Sequence, residues 1–496
     1  MTIKEVLAKI DDNINRRRII YFAICCCALL SFYIIRRFGF VGGFAFAIAP
    51  IAIAAAIFSI SSLYYSYIAI FIINYFLGGL SRYFPFIPSG IFLDAMLAYT
   101  LFLLLINIIF FKTVRLRSAF NLATIVSFIW MIFCLFQLLN IHGQDIAWLT
   151  SVRGIGFYFF IITFFCSLVY NKFTDFKRIM FILSILSLLA VVKALIQKFI
   201  GFDSAESRWL FVEGGRITHI IYTGTRYFSF YTDASTFGAS MGMSSIMFAI
   251  IGLSSKAKER LYYFAVSLLS CYAMFISGTR SALAVPLAGA ALYIILSKKP
   301  QLIFLSLITF CAILYFFKFT MIGESNADIR RMRSAFNIED ASLNVRLENQ
   351  KKFKEIMKDY PLGTGIGMGG FKAQKFAPNS QLANIPTDSW FVMIWVETGF
   401  YGLILHIFLL SIIMLYGIYL VLFVLRNEQL ITYTSAAICG VFGITVASYG
   451  NEIMGQIPVA MITYTLQAFI VMSAKFDKEL MGPSEKIKLK QLIWNY

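Results

Sequence analysis

Apolar runs of about 20 residues, the length a helix needs to cross a bilayer, recur from Ile19 to Ala474 with only short polar breaks. They predict spans at 19–35, 38–60, 62–80, 91–111, 119–139, 154–170, 179–200, 236–254, 261–278, 280–297, 301–319, 390–424, 431–449 and 457–474. About 14 spans make an all-α, polytopic transmembrane helical bundle whose two termini share one compartment. The same pattern sets the organisation. An interfacial helix over 1–18 precedes a bundle over 19–319 with an outer loop at 202–235; a large, partly helical extracytoplasmic loop at 320–389 precedes further spans over 390–474 and a basic tail over 475–496. Within 1–18, Ile3, Val6, Leu7, Ile10 and Ile14 recur at the spacing of a helix lying on the membrane surface.

Charge turns this pattern into a topology. Arg16, Arg17 and Arg18 precede the first span; Lys112, Arg115 and Arg117 follow the fourth; Lys172, Lys177 and Arg178 follow the sixth; Lys256, Lys258 and Arg260 follow the eighth. Lys298 and Lys299 follow the tenth, and Lys475 opens the tail. Cytoplasmic loops carry the excess of Lys and Arg, so both termini are predicted cytoplasmic and the two long polar segments extracytoplasmic. Arg36 and Arg37, between the first two spans, fall outside in this topology and run against the rule.

The formal charge of +18 is thus largely an orientation signal. It is scattered in small groups, without the contiguous basic face that nucleic acid requires. With 59% hydrophobic residues and a mean hydropathy of +0.78, the chain belongs in a lipid bilayer. No small-residue cleavage site follows the first apolar run before Arg36, so that segment is expected to stay attached. All eight cysteines fall inside apolar runs without zinc-site spacing and read as small hydrophobes. His406, alone in a span, reads as a hydrogen-bonded packing residue.

The candidate chemistry lies in the two outer segments and consists first of arginines where the positive-inside rule disfavours them. In the first loop, Arg216 and Arg226 stand among glycines that allow close backbone approach to a ligand. Their alternative partners are Glu206, Glu213 and Asp233, and Asp233 or Ser235 is placed to cap the next span. Arg280, in Phe275-Ile-Ser-Gly-Thr-Arg-Ser-Ala-Leu, sits at the outer junction of two spans, where an ionisable group is costly unless paired or bound. Phosphate is the expected ligand of such a group.

In the second loop, residues 343–359 predict an amphipathic helix with Leu347, Phe353, Ile356 and Met357 on one side and Arg346 near its start, where free backbone amides also bind anions. The following Pro361-Leu-Gly-Thr-Gly-Ile-Gly-Met-Gly-Gly lacks the Lys-Ser/Thr of a P-loop. Asp388 or Thr387 is placed to cap a surface helix that breaks near Gly399 and Gly402, and Asp388 is equally placed as an acid or base facing an outer cavity. Glu397 reads as catalytic, as an arginine's partner, or as one half of a structural pair. Neither loop has an Asp-x-Asp pair or a His/Asp/Glu cluster, so a reaction without metal or cofactor is expected.

Over roughly residues 150–425 the chain resembles the O-antigen polymerase and O-antigen ligase superfamily (Wzy and WaaL) of polytopic glycosyltransferases. The resemblance rests on Ser277-Gly-Thr-Arg-Ser-Ala-Leu and on the order Arg346, Pro361-Leu-Gly-Thr-Gly, Glu397-Thr-Gly and Gly402. It implies a GT-C-like bundle in the bacterial cytoplasmic membrane with its active site on the periplasmic side. The implied substrate is an undecaprenyl-pyrophosphate-linked oligosaccharide, with a chain-length regulator and a flippase as possible partners. The pyrophosphate-binding role would fall to Arg226, Arg280 and Arg346. Ligases of the family carry a histidine nine residues before Glu-Thr-Gly, and Asp388 stands there in this chain, which favours a polymerase. Asp388, or else Glu397, would accept the acceptor's proton, with Arg280 stabilising the leaving group. A ligase and, in a different class, a lipid-linked glycan flippase are the alternatives.

Overall fold

The computed structural model describes Arg36 and residues 62–481, except 86–88, 112–113, 115, 222–223, 298–299, 326 and 334–340. The spans predicted at 19–35 and 38–60, the interfacial helix and the end of the tail lie outside the described residues. The chain divides into two compact units, residues 1–66 with 102–111, and residues 67–101 with 112–496. Within the first, the described residues are almost wholly helical.

Among the described residues, nine helices are long and apolar enough to cross a membrane: Leu63–Tyr83, Gly90–Phe111, Leu122–Leu139, Asp145–Val169, Phe173–Phe199, Ala234–Ser254, Trp390–Val424, Glu428–Ala447 and Val459–Leu480. Ala257–Ile276, Arg280–Leu296 and Pro300–Phe319 fill the remaining predicted positions from residue 62 onward. The chain is an all-α polytopic membrane protein. One span starts well before its expected position: the helix runs from Asp145 through a π-helical turn at Arg153–Phe157. Arg153 pairs with Asp94, which also accepts from Tyr158 Oη at 2.5 Å. That charge lowers the local hydropathy and hides the first turns.

Ala234–Ser254, Glu428–Ala447 and Val459–Leu480 form the most buried part of the bundle. Small residues let these helices approach closely, because in lipid the association rests on packing contact and interhelical hydrogen bonds. A Cβ at Gly289 would lie 2.9 Å from the Cys439 carbonyl, and one at Gly443 2.5 Å from the Val285 carbonyl. Hydroxyl pairs bridge the same bundle, Ser187 to Ser244 at 2.9 Å and Thr434 to Ser473 at 2.8 Å. His406 packs as expected, accepting from Trp390 Nε1 at 3.0 Å with its ring 4.4 Å from that of Trp130.

The described residues of the two segments expected outside carry secondary structure. The first contains helices Ser204–Phe211 and Arg216–His219 and a two-stranded hairpin of Ile220–Ile221 with Gly224–Thr225. The second contains Ala327–Arg333, Ala341–Ile356 and short 3-10 turns. Phe353 and Met357 bury against Leu382, Val392 and Val396, which fixes the amphipathic helix onto the start of the Trp390–Val424 helix. Leu347 departs from its expected place on the apolar side and is 43% exposed.

Candidate functional site

The first outer loop is held by an arginine that the sequence did not single out. Arg82, buried at the end of the Leu63–Tyr83 helix, donates to the carbonyls of Ser229 (3.2 Å), Tyr231 and Thr232 (3.1 Å), and lies 4.4 and 4.2 Å over the rings of Trp209 and Phe228. His219 ties the loop to the next span, because its Nε2 accepts from the Ala234 amide at 3.2 Å while Nδ1 lies 3.0 Å from the Gly215 carbonyl. Burial, helped by the charge of Arg226, pushes this histidine down to about 4 and keeps it neutral. Asp233 caps the Ala234–Ser254 helix by accepting from the amides of Ser235 (2.7 Å) and Thr236 (2.9 Å).

These contacts aim Arg226. Its guanidinium donates to the Thr218 carbonyl (3.0 Å), Ser235 Oγ (3.0 Å) and Thr279 Oγ1 (2.8 Å), all neutral oxygens, and its buried Nε has no hydrogen-bond partner among the described residues. The carboxylates proposed as its partners are engaged elsewhere: Glu206 with Lys193 at 2.9 Å, Glu213 with Arg208 at 3.0 Å, and Asp233 in the helix cap. Burial lowers the Arg226 pKa; Asp233 opposes this, and the positive charges of Arg280 and Arg346 lower it further.

The arginines of three separate segments therefore share one electrostatic neighbourhood. Gly278, at φ +59, provides the floor: a Cβ there would lie 3.2 Å from Arg331 Cδ and 3.3 Å from Arg226 Cγ. Arg280 opens the 3-10 turn Arg280–Leu283 directly after it. Next to Arg280, Ser281 accepts from Asn451 Nδ2, and a Cβ at Gly450 would lie 3.0 Å from Ser281 Cβ and 3.9 Å from Arg346 Nη1. Arg346 lies in the second turn of the Ala341–Ile356 helix, beyond the free amides expected beside it, so it contributes charge from its side chain and not a helix N-terminus. Arg216 is exposed on the short Arg216–His219 helix.

Asp388 stands beside this cluster. The cap of the Trp390–Val424 helix is Ser389, whose side chain accepts from the Val392 amide, so neither Asp388 nor Thr387 has the capping role expected as one alternative. Asp388 instead adopts φ +50, a left-handed conformation uncommon outside glycine and a mark of functional turns. Burial raises its pKa, Arg346 opposes that, and Glu452 adds to it.

Glu397 is fully buried, and among the described residues neither carboxylate oxygen has a hydrogen-bond partner of good geometry. It faces the backbone of Gly367 and Gly369 and the charges of Lys372 and Glu452, with no arginine paired to it among the described residues.

The glycine-rich run has a structural purpose. Gly399 (φ +76) breaks the Trp390–Val424 helix, and the Pro361–Gly365 segment lies across the break: Thr364 donates to the Val396 carbonyl and Gly365 to that of Glu397 (3.0 Å each), while Phe400 donates to Pro361 (3.2 Å). A Cβ at Gly399 would lie 2.2 Å from the Pro361 oxygen, and one at Gly363 2.4 Å from the Glu397 oxygen. Only glycines permit this approach.

An open apolar groove of about 590 Å³ begins at Gln350 and Tyr449, whose side chains meet at 3.5 Å, and continues along the Trp390–Val424 helix past Trp395, Ile407 and Met414. Its mouth adjoins Gly450 and thus Arg346. Sequence reasoning missed Arg331, Lys372 and Glu452. Arg331 was legible by the same rule that singled out Arg280, since Arg330, Arg331 and Arg333 form a basic run in a segment expected on the outer side. Glu452 had no such signal, because it lies in what reads as a short turn between the last two spans.

A family model, Wzy_C, described as O-antigen ligase, matches residues 265–407. No curated protein matches the chain. The matched segment holds Gly278, Arg280, Arg331, Arg346, the glycine clamp, Asp388 and Glu397, and leaves Arg226 and Glu452 outside it. Through this segment the chain is similar to the O-antigen ligase family, which supports the resemblance to the O-antigen polymerase and O-antigen ligase (Wzy/WaaL) superfamily.

Proposed function

We propose that this protein is a polysaccharide polymerase of the cytoplasmic membrane, acting on the outer side. It transfers a growing O-antigen or capsule glycan from undecaprenyl pyrophosphate to a new lipid-linked repeat unit. The observation that carries the reading is the gathering of Arg226, Arg280 and Arg346 around Gly278 and Gly450, with Asp388 beside Arg346. Like charges held together at a half-buried site repel one another, and a diphosphate offsets that repulsion with charge-assisted hydrogen bonds. The apolar groove that opens next to Arg346 suits the polyprenyl chain attached to such a head group.

In this mechanism the acceptor hydroxyl oxygen attacks the anomeric carbon of the donor sugar from the face opposite the pyrophosphate. The bond from that carbon to the pyrophosphate oxygen breaks, its electron pair leaves with the oxygen, and the configuration inverts. Asp388 takes the hydroxyl proton; a raised pKa makes it a better base than an exposed aspartate. The arginines stabilise the charge that grows on the leaving group, and loss of one such donor typically costs about 10²–10³ in rate. Purified protein given lipid-linked repeat units tests this: Arg280→Ala should lose rate in that range, and polymer made at the wild-type rate would refute the role.

The description of the matching family favours a second reading, transfer of finished glycan to lipid A core or protein. The donor site would be the same. In a deletion strain, accumulation of single lipid-linked repeats supports the polymerase, and accumulation of full-length lipid-linked chains supports the ligase.

A further inference from the structure

Glu452 lies in the turn between the Glu428–Ala447 and Val459–Leu480 helices, outside the family-matched segment. It nevertheless reaches the turn that carries the proposed base. Its Oε1 accepts from Thr387 Oγ1, one residue before Asp388, and its Oε2 lies 3.0 Å from Lys372 Nζ. The same two chain segments are joined again one residue after Asp388: Ser389 Oγ donates to the Ser448 carbonyl at 3.4 Å, and the Trp390 amide to the same carbonyl at 2.9 Å. Thr387 is buried, and the Glu452 side chain is only 21% exposed. These two contacts hold the carboxylate at the turn and keep its charge next to Asp388, although the Lys372 side chain is itself half exposed.

We propose that Glu452 is the positioning residue of the base: it fixes the Thr387–Ser389 turn in its left-handed form and keeps a negative charge, clamped by Lys372, beside Asp388. The inference rests on the reading of Asp388 as the base. The charged groups facing this turn come from four elements: Arg346 on the Ala341–Ile356 helix, Glu452 on its turn, Lys372 on the Gly370–Lys375 turn and Glu397 on the Trp390–Val424 helix. Arg346 pulls Asp388 toward its ionised form and Glu452 pushes it the other way. Without Glu452 the arginine that grips the phosphate would make Asp388 a weaker base. Lys372 sets how much of the Glu452 charge is felt.

The test is the pH dependence of transfer by full-length purified protein on lipid-linked repeat units. Because the base acts only when deprotonated, the rate rises with pH through its pKa. Glu452→Gln keeps an acceptor for Thr387 and removes the charge, so the acid limb should move to lower pH by on the order of one unit, with a lower plateau rate. Lys372→Met exposes the Glu452 charge and should move the limb the opposite way. A role confined to folding moves neither limb, and unmoved limbs in both variants overturn the inference. If Glu452→Gln does not accumulate, Lys372→Met alone still reads the coupling by the sign of its shift. Asp388→Asn separates the two levels. If it is inactive while the limbs stay fixed, the base reading stands and the Glu452 inference fails; if it is fully active, both fail.

Discussion

Gly278→Ala adds one methyl group and addresses the arginine cluster without removing any charge. At φ +59 an L residue costs about 1–2 kcal/mol relative to the right-handed region. The reduced freedom of the unfolded chain returns about 0.4–1 kcal/mol, which leaves a net loss on the order of 1 kcal/mol. The new Cβ would also stand 3.2 Å from Arg331 Cδ and 3.3 Å from Arg226 Cγ, tighter than ordinary van der Waals contact. Both side chains must give by a few tenths of an ångström. Arg226 has little room to do so, being held by Thr218, Ser235 and Thr279 at 2.8–3.0 Å. Since a displacement of about 1 Å at a reacting site costs about 10²-fold, a smaller one is expected to slow transfer roughly tenfold while the melting temperature falls by only a few degrees. Detergent-purified variant and wild type are compared by initial rate on lipid-linked repeats and by thermal unfolding. A variant with the lowered melting temperature and an unchanged rate would refute the claim that the Gly278 floor aligns groups acting on the substrate.

Asp388→Asn should cut transfer by about 10²–10⁴ yet stabilise the protein at neutral pH. Because the folded pKa of Asp388 is raised, its ionised form is disfavoured in the folded state; the penalty is absent below the unfolded value, sets in as pH rises through it, and is fully present above the folded value. The gain in melting temperature should therefore shrink in acid, and a gain that persists there counts against the raised pKa. Gly399→Ala places a Cβ 2.2 Å from the Pro361 oxygen in a backbone region nearly closed to L residues. That strain, of about 1–3 kcal/mol, adds to weakening of three clamp hydrogen bonds at about 0.5–1.5 kcal/mol each. Limited proteolysis should then cut the 357–389 segment far faster than in the wild type, and equal protection would show that the clamp does not hold that segment.

The linear chain determined the architecture because a bilayer leaves few choices. Lipid requires every backbone polar group to be satisfied within a helix, so apolar run length alone placed the twelve helices described from residue 62 onward, with most ends within a few residues; the larger departures are the starts at Asp145, hidden by the charge of Arg153, and Phe173, and the end at Leu480. Arg226, Arg280 and Arg346 were legible for a related reason, since cations in segments expected on the outer side break a strong compositional rule. What brings them to one place was not legible. Arg226 lies in the first outer loop and Arg346 in the second, and their meeting depends on helix packing around Gly278 and Gly450. The role of each carboxylate was also decided in three dimensions. Asp388 and Ser389 are equally good caps by residue type, and only the φ of +50 at Asp388 gives the cap to its neighbour. Glu452 matters through contacts with Thr387 and Lys372, 65 and 80 residues away along the chain. Periodicity and charge rules read local free energies, whereas contacts at such separations exist only once the bundle has closed.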